Sequence, residues 1–204
     1  MRKSKPQPQT GYKAYFKRVD AKIYELALQI NLELIVKPES YFERLCRTIV
    51  GQQLSGKVAN VIFGRFEALL DGKVTPDAIL KVSPKKMRAV GMSNSKVSFI
   101  KDLAVKVKSG EVDLEKIDEL GDKEVVEHLV KVHGIGPWTA EMFLIFALAR
   151  PDVFSTGDLG LLRGVERLYG IKNPSKKKLA QISGKWSPYR SFASRLLWKS
   201  LDNQ

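Results

Sequence analysis

The sequence predicts an all-α fold, and three observations lead to this prediction. Apolar residues recur every three to four positions in seven segments, whereas alternating apolar and polar runs bounded by hairpin signals are nearly absent. Short links rich in Gly, Asn, Asp and Ser separate the segments, with no long flexible linker between them. The 204 residues, 44% of them hydrophobic, suffice for one domain or for two small lobes.

Each predicted helix has its own signal in the sequence. The seven periodic segments begin, in chain order, at Phe42, Val58, Val97, Glu124, Ala140, Leu159 and Ser191. Three further helix starts are predicted at Thr75-Pro76, Ser83-Pro84 and Ser187-Pro188, because the hydroxyl can cap a helix whose first turn tolerates proline. The basic run KKK at 176–178 predicts a solvated helix face, and the polar start MRKSKPQPQT predicts a disordered end.

Charge and cysteine content limit the possible functions. A net charge of +13 favours a polyanionic partner such as nucleic acid, although incidental basicity explains the charge equally well. The single cysteine, Cys46, excludes an internal disulfide, a four-cysteine zinc site and a four-thiolate iron–sulfur cluster. No apolar run is long enough to span a bilayer and no signal-peptide core is present, so we expect an intracellular, soluble protein.

The two histidines do not predict a metal site. His128 and His133 are five residues apart, and no set of carboxylates or cysteines surrounds them in the sequence. We interpret both as surface or hairpin residues rather than as metal ligands or proton shuttles.

A glycine-rich turn joins two of the predicted helices. In KEVVEHLVKVHGIGPWTAEMFLIFAL the hairpin is predicted to run from Val132 to Gly136. Gly134 and Gly136 are expected to adopt positive φ angles and to allow close approach of another chain, while Ile135 packs between the helices. Pro137 then begins the second helix, whose N-terminal N–H groups suit a phosphate oxygen.

This stretch resembles the helix-hairpin-helix motif. The resemblance rests on Leu129, Val132, Gly134, Ile135, Gly136 and Ala140. It implies binding of the DNA backbone without sequence readout, through His133, Gly134, Ile135, Gly136 and Thr139. It also implies a possible Na⁺ or K⁺ on the carbonyls of Lys131, His133 and Gly136. The alternative is an ordinary Gly-rich turn between two helices.

Three further motifs extend the resemblance to one enzyme family. Together with GIGPWTA, the segments IVGQQLS, DVFSTGDLGLLRG and WSPYRSFASRLLW are similar to the 3-methyladenine DNA glycosylases of the AlkA and MAG type. The resemblance implies a monofunctional enzyme of base excision repair that flips alkylated purines out of double-stranded DNA and hydrolyses the N-glycosidic bond. It implies no required cofactor, a monomer, and residence in the nucleoid or the nucleus.

The same resemblance implies an architecture. It predicts two helical lobes with a cleft between them. Bacterial members of the AlkA type also carry an N-terminal β domain, which we do not expect here because about forty residues precede YFERLCRTIVGQQLS. The middle lobe covers residues 33–152, and the terminal lobe, carrying the catalytic aspartate, combines 1–32 with 153–204.

The resemblance assigns the catalytic role to Asp158. A carboxylate beneath the sugar can stabilise the positive charge that develops as the bond breaks. The alternative role for Asp158 is an ordinary N-cap.

The resemblance also assigns the groups that hold the flipped base. The wedge that fills its place in the helix is assigned to Gln53, with Leu54 next; alternatively these residues end one helix before Ser55 caps another. The base pocket is assigned to Trp138, Trp198 and Met142, and the alternative for both tryptophans is core packing.

Some family positions differ in this chain. Trp138 stands where glycosylase-lyases have a nucleophilic lysine, so water is the expected nucleophile. Met142 replaces a tyrosine of the AlkA type, which leaves the lesion range open. Four basic residues either bind phosphates or form a solvated face: Arg163, Lys185, Arg190 and Arg195. The rival hypotheses are a non-catalytic helix-hairpin-helix DNA-binding module and a glycosylase-lyase.

Overall fold

Helices make up the regular structure of residues 11–202, the part of the chain that the computed structural model describes. They are α1 (Tyr12–Val19), α2 (Ala21–Gln29), α3 (Tyr41–Gly51), α4 (Gly56–Leu69), α5 (Pro76–Lys81), α6 (Pro84–Ala89), α7 (Asn94–Lys108), a 3₁₀ turn (Ile117–Glu119), α8 (Asp122–Leu129), α9 (Pro137–Phe146), α10 (Leu159–Tyr169), α11 (Lys176–Gly184) and α12 (Arg190–Asp202). No strand occurs among these residues, so the predicted all-α fold is confirmed. The predicted polar end at 1–10 lies outside the described residues.

Side-chain hydroxyls begin half of the α-helices. Each accepts a hydrogen bond from the backbone N–H three residues further on; they belong to Ser40, Ser55, Thr75, Ser83, Ser93 and Ser175. The starts predicted at Thr75-Pro76 and Ser83-Pro84 are therefore confirmed. The exposed lysines 176–178 lie in the first turn of α11, as predicted.

The helix start predicted at Ser187-Pro188 is wrong. The Ser187–Pro188 peptide bond is cis, and α12 begins at Arg190. The Ser187 hydroxyl donates to the Asp152 carboxylate at 2.7 Å, and the same carboxylate accepts the Arg190 N–H at 3.2 Å. An acidic side chain from a distant segment thus supplies the acceptor that the sequence pattern assigned to Ser187.

Helices α1 and α2 have no counterpart among the predicted segments. They are short, and Asp20 both ends α1 and caps α2 by accepting the Ile23 N–H. Asp20 also accepts the Trp186 indole N–H at 3.1 Å. Its position is therefore determined by a residue that is remote in the sequence.

The described residues fall into two compact units. The middle unit is Lys37–Phe143, and the terminal unit combines the chain up to Val36 with the chain from Leu144 onwards. The boundary expected at 152/153 separates 144–152 from the terminal unit. The contacts instead group these residues with that unit, where residues 150–153 are hydrogen-bonded to α12.

The terminal unit is built around α12. This helix packs against α2, α10 and α11, while α1 packs against α2. Trp186 is fully buried in the core with Phe16 and Ile23. Such aromatic and aliphatic burial supplies most of the driving force that holds the five helices together.

In the middle unit, α7 packs against α3, α5 and α6. The Lys101 ammonium donates to three carbonyls at the end of α5, those of Ile79, Leu80 and Val82. Cys46 is buried in α3, and burial raises the pKa of its thiol far above the usual range. This cysteine is therefore a packing residue. Within 11–202 no helix is both long and apolar enough to cross a membrane.

His128 is half-buried in α8, a correction to its interpretation as a surface or hairpin residue. Its Nε2 accepts a hydrogen bond from the Asp113 N–H at 2.7 Å, which requires the unprotonated nitrogen. Burial and the nearby Lys131 charge lower the pKa of His128, although Asp113 partly opposes them.

We predict that His128 makes the fold less stable in acid. Because its folded-state pKa is lowered, the unfolded chain binds the proton more readily, so this contribution is complete above about pH 6.5 and is lost as pH falls further. His128→Gln, whose amide oxygen can still accept the bond, should flatten the pH dependence of the melting temperature between about pH 7.5 and about pH 5. The exposed His133 supplies the control His133→Gln. An unchanged slope in His128→Gln would refute the prediction.

Candidate functional site

The hairpin between α8 and α9 begins earlier than predicted. Helix α8 ends at Leu129, not at Val132, and the chain turns through hydrogen bonds from Val132 N–H to Leu129 O and from Ile135 N–H to Val132 O, both 3.0 Å. Leu129, Val132 and Ile135 are buried, as is Ala140 in α9. The motif's apolar positions thus form the packed side of the turn, and Ile135 is inserted as predicted.

The two glycines of the hairpin serve different purposes. Gly134 has φ +85°, and a Cβ there would lie only 2.1 Å from Cδ2 of Phe99. Gly136 lies outside the positive-φ region, so that part of the prediction is wrong; a Cβ there would meet nothing within 4 Å. Gly134 is required for the turn itself, whereas Gly136 leaves open space beside the backbone.

Side chains from outside the hairpin hold its main chain. Gln52, the C-cap of α3, donates through Nε2 to the Gly134 carbonyl at 2.9 Å. Asp102 of α7 accepts the His133 N–H at 2.7 Å, and Lys106 of α7 donates to the Lys131 carbonyl. Sequence reasoning missed these three residues. The i,i+4 spacing of Asp102 and Lys106 is a visible signal of a pair, but it does not reveal the partner segment.

The N-terminus of α9 follows directly. Pro137 begins the helix, as predicted, and Gly136, Pro137 and Trp138 are exposed. A shallow concavity lies over the hairpin and is lined by Asp102, Lys106 and residues 130–136. Thr139 and Ile135 are buried, so their side chains belong to the packing, and the Ile135 N–H is already donated to the Val132 carbonyl. The turn therefore presents backbone N–H groups at the positive end of a helix.

The three pocket candidates differ in exposure. Trp138 is 49% exposed, which excludes the core-packing alternative for this residue. Met142 is half-buried further along α9. Trp198 is half-buried in α12, where its ring packs against Phe146 with centroids 5.7 Å apart.

The wedge candidates lie in the turn between α3 and α4. Gln53 is exposed and has φ +58°, whereas Leu54 is half-buried. Ser55 caps α4 by accepting the Val58 N–H, as the alternative interpretation predicted. Ending a helix does not prevent Gln53 from projecting outward, so the cap at Ser55 is compatible with the predicted wedge role of Gln53.

Asp158 is the N-cap of α10. A turn closed by the Asp158 N–H and the Ser155 carbonyl precedes it, which matches the predicted Ser-Thr-Gly turn. Its Oδ1 accepts two hydrogen bonds, from the Leu161 N–H at 2.7 Å and from the Trp198 indole N–H at 2.9 Å. The residue is only 9% exposed, while the next one, Leu159, is 69% exposed. The carboxylate is therefore held in a fixed orientation rather than facing bulk solvent.

Two glycines of α10 make this arrangement possible. A Cβ at Gly160 would lie 2.9 Å from Cδ1 of Trp198 and 3.0 Å from Oδ1 of Asp158. A Cβ at Gly164 would lie 2.9 Å from Cβ of Leu197. Since a side chain at either position would force α12 away, the Gly-x-x-x-Gly spacing sets the distance between Trp198 and Asp158. The Gly-x-x-x-Gly spacing is visible in the sequence, but the helix that packs against it, α12, is not.

The segment before Asp158 is fixed to α12. Ser191 Oγ accepts the Val153 N–H at 2.9 Å and donates to the Arg150 carbonyl at 2.6 Å. Arg190 pairs with Asp152 through two hydrogen bonds of 2.7 and 3.1 Å. Burial raises the pKa of Asp152, but the hydrogen bonds from Arg190 and Ser187 outweigh it, so the pKa lies below its usual value. The aspartate loop is thus fixed at its start as well as at its end.

The four basic candidates separate into two pairs. Arg190 is held by Asp152, and Arg195 donates to the Glu33 carbonyl, so neither is a solvated residue. Arg163 and Lys185 are exposed. The second pair is therefore the more exposed of the two.

The expected Na⁺ or K⁺ site does not fit the hairpin carbonyls. The Lys131 carbonyl already accepts the Lys106 ammonium, and the Gly136 carbonyl accepts the Ala140 N–H at 3.1 Å. A metal ion at these carbonyls would lie next to an existing positive charge. Elsewhere in the described part of the chain, no cluster of three His, Cys, Asp or Glu side chains could hold a metal.

Comparisons with known proteins agree with this geometry. Residues 46–188 match the HhH-GPD family, described as a superfamily of base excision DNA repair proteins. DNA-3-methyladenine glycosylase 1 of Schizosaccharomyces pombe is 37% identical over 168 residues, which cover 80% of this chain and 73% of the relative.

Two solved structures are similar over most of the chain. DNA-3-methyladenine glycosidase of Bacillus halodurans is 35% identical, with a TM-score of 0.83 over 94% of this chain and 88% of that one. The Schizosaccharomyces pombe 3-methyladenine glycosylase in complex with abasic DNA is 31% identical, with a TM-score of 0.80 over 94% and 96%.

Proposed function

Since this chain belongs to the HhH-GPD superfamily of base excision DNA repair proteins, we propose that it is a monofunctional glycosylase that removes alkylated purines from DNA. The observation that carries the proposal is the Asp158 carboxylate, held by two N–H donors at the start of α10. Its substrate is damaged double-stranded DNA, which the basic surface attracts through its net charge of +13.

Asp158 acts on the sugar in this proposal. Cleavage of the N-glycosidic bond leaves the electron pair on the departing base and positive charge on the deoxyribose. A carboxylate that is already oriented stabilises that charge without reorganising as the bond breaks. The Leu161 and Trp198 N–H groups supply the orientation, since both donate to the same oxygen, Oδ1.

Water completes the reaction. Trp138 occupies the position where lyase relatives have a lysine, and an indole cannot attack the sugar. The base is therefore replaced by a hydroxyl from water, and the DNA strand stays intact. Asp158 can also orient or deprotonate this water.

The hairpin and the α3–α4 turn hold the DNA. The N–H groups at the start of α9, beside the open space at Gly136, bind the phosphate backbone without reading sequence. Gln53, exposed at φ +58°, is the wedge that enters the stack when the base leaves it.

Aromatic side chains receive the base. In the middle unit, Trp138 presents an exposed indole to a flipped purine. In the terminal unit, the Trp198 indole lies beside the carboxylate. Methylation at N3 or N7 makes the purine cationic, which favours both binding to an aromatic face and departure from the sugar.

A panel of duplexes tests the proposal. Each duplex contains one lesion, and abasic-site formation is measured for 3-methyladenine, N7-methylguanine, ethenoadenine and hypoxanthine. We expect faster release of the two cationic bases than of the two neutral ones, with no strand break before alkali treatment.

Borohydride treatment of the same reactions separates the rival functions. A trapped covalent protein–DNA adduct would identify a glycosylase-lyase. Binding without release of any of the four bases would indicate a non-catalytic DNA-binding module. Either result would overturn the proposal.

A further inference from the structure

Two side chains of α7 clamp the hairpin through opposite charges. Asp102 and Lys106 are one helical turn apart, and Lys106 Nζ lies 3.2 Å from Asp102 Oδ2. The carboxylate accepts the His133 N–H at 2.7 Å, and the ammonium donates to the Lys131 carbonyl. One ion pair therefore holds both a donor and an acceptor of the hairpin main chain.

The side chains of this pair are only partly exposed. The side chains are 20% exposed for Lys106 and 28% for Asp102. Both also line the concavity over the hairpin, beside Gly134 and Gly136. A shielded ammonium has a stronger influence on nearby carbonyls than a solvated one.

An ammonium group can bind a backbone carbonyl oxygen, as a monovalent metal ion does. It carries one positive charge, which Asp102 balances, and three N–H donors. One of these donors binds the Lys131 carbonyl oxygen. Together the ammonium and the carboxylate fix the Lys131 carbonyl and the His133 N–H, so the turn holds the N–H groups at the start of α9 in position for a phosphate.

We propose that the Lys106 ammonium, held by Asp102, takes the place of a bound monovalent cation, so that this hairpin binds DNA phosphate without a metal ion. The proposal rests on the proposed function, because it concerns how the hairpin recognises the DNA backbone. It assigns Lys106 as a positioning residue for the phosphate-binding N–H groups.

A change of salt tests the proposal on the unmodified chain. The affinity for a duplex with a stable abasic-site analogue is measured by fluorescence anisotropy in NaCl, KCl and tetramethylammonium chloride, each at about 0.1 M ionic strength. Tetramethylammonium is too large to be held by backbone carbonyls. We expect the three dissociation constants to agree within about twofold, whereas an affinity at least about tenfold weaker in tetramethylammonium would overturn the proposal.

The variant Lys106→Met supplies the second part of the test. We expect this variant to bind the duplex about tenfold more weakly in tetramethylammonium and to recover much of the loss in NaCl or KCl, because an ion can then enter the position. The matched control is Lys108→Met, which removes an exposed lysine at the end of the same helix, α7, where it pairs with Asp77 of α5. Its affinity should show no recovery specific to Na⁺ or K⁺.

The remaining outcomes are also decisive. If Lys106→Met matches Lys108→Met in every salt, or if Na⁺ and K⁺ restore nothing, the ammonium does not act in place of an ion. If the unmodified chain binds the duplex in none of the salts, the proposed function fails instead. Circular dichroism of both variants verifies that they are folded.

Discussion

Asp158→Asn should lower the rate of base release by about 10³-fold or more, while the affinity for damaged DNA stays within about twofold. The substitution is nearly isosteric, and the asparagine carbonyl oxygen can still accept the Leu161 and Trp198 N–H groups that Oδ1 accepts now. Asparagine is as good an N-cap as aspartate, so α10 should keep its start. Only the negative charge is lost. Single-turnover release of N7-methylguanine and anisotropy binding measure the two quantities.

The chain offers a matched control at Asp20. This residue is also an N-cap, of α2, and it also accepts an indole N–H, that of Trp186. Asp20→Asn therefore removes the same charge within the same unit but away from the candidate site. Because Ile23 and Trp186 donate to different oxygens of Asp20, the variant loses one acceptor, and thermal melting verifies that it is folded. We expect its release rate to stay within about threefold of that of the unmodified chain. Comparable activity in both variants would remove Asp158 from the mechanism.

Gly134→Ala should destabilise the middle unit by about 2–5 kcal/mol and weaken binding to all DNA sequences by at least about tenfold. The alanine would have to adopt φ +85°, and its Cβ would lie 2.1 Å from the ring of Phe99. Relief of that contact moves either Phe99 or the hairpin away from its phosphate-binding geometry. Thermal melting and anisotropy below the melting temperature measure the two effects.

Gly136→Ala separates folding from binding at the same turn. Its Cβ would meet nothing within 4 Å, and its backbone lies outside the positive-φ region, so stability should change by less than about 1 kcal/mol. The methyl group would instead occupy the space that the DNA backbone needs, and affinity should fall about tenfold. Unchanged affinity in Gly136→Ala would show that the phosphate does not approach this side of the hairpin.

Much of the fold could be predicted because its signals are local. Periodic apolar residues and hydroxyl caps such as Thr75 and Ser83 determine a helix from within its own sequence. The prediction failed at Ser187, where the acceptor for α12 comes from Asp152, 35 residues earlier. It also failed at Gly136, because a glycine can be required for space as well as for a positive φ angle.

The residues of the candidate site also differ in whether their sequence signals are local. Asp158 and the Gly134 turn carry signals in short motifs, so sequence reasoning could select them. Asp102 and Lys106 could not be selected, since they contact main-chain atoms 31 and 25 residues away. Backbone partners leave no side-chain pattern in the sequence, and their positions become visible only when the helices are packed.

Asp158 Oδ1 caps α10 and also accepts the Trp198 indole N–H, and this double role limits which residues can replace Asp158. A library screened for folding alone should accept Asp, Asn, Ser or Thr there, because each can begin α10. A library screened for survival of alkylation should accept only aspartate. Gly160 should be retained in both screens, since it admits the Trp198 ring. Codon frequencies at these two neighbouring positions would therefore distinguish selection for the scaffold from selection for repair.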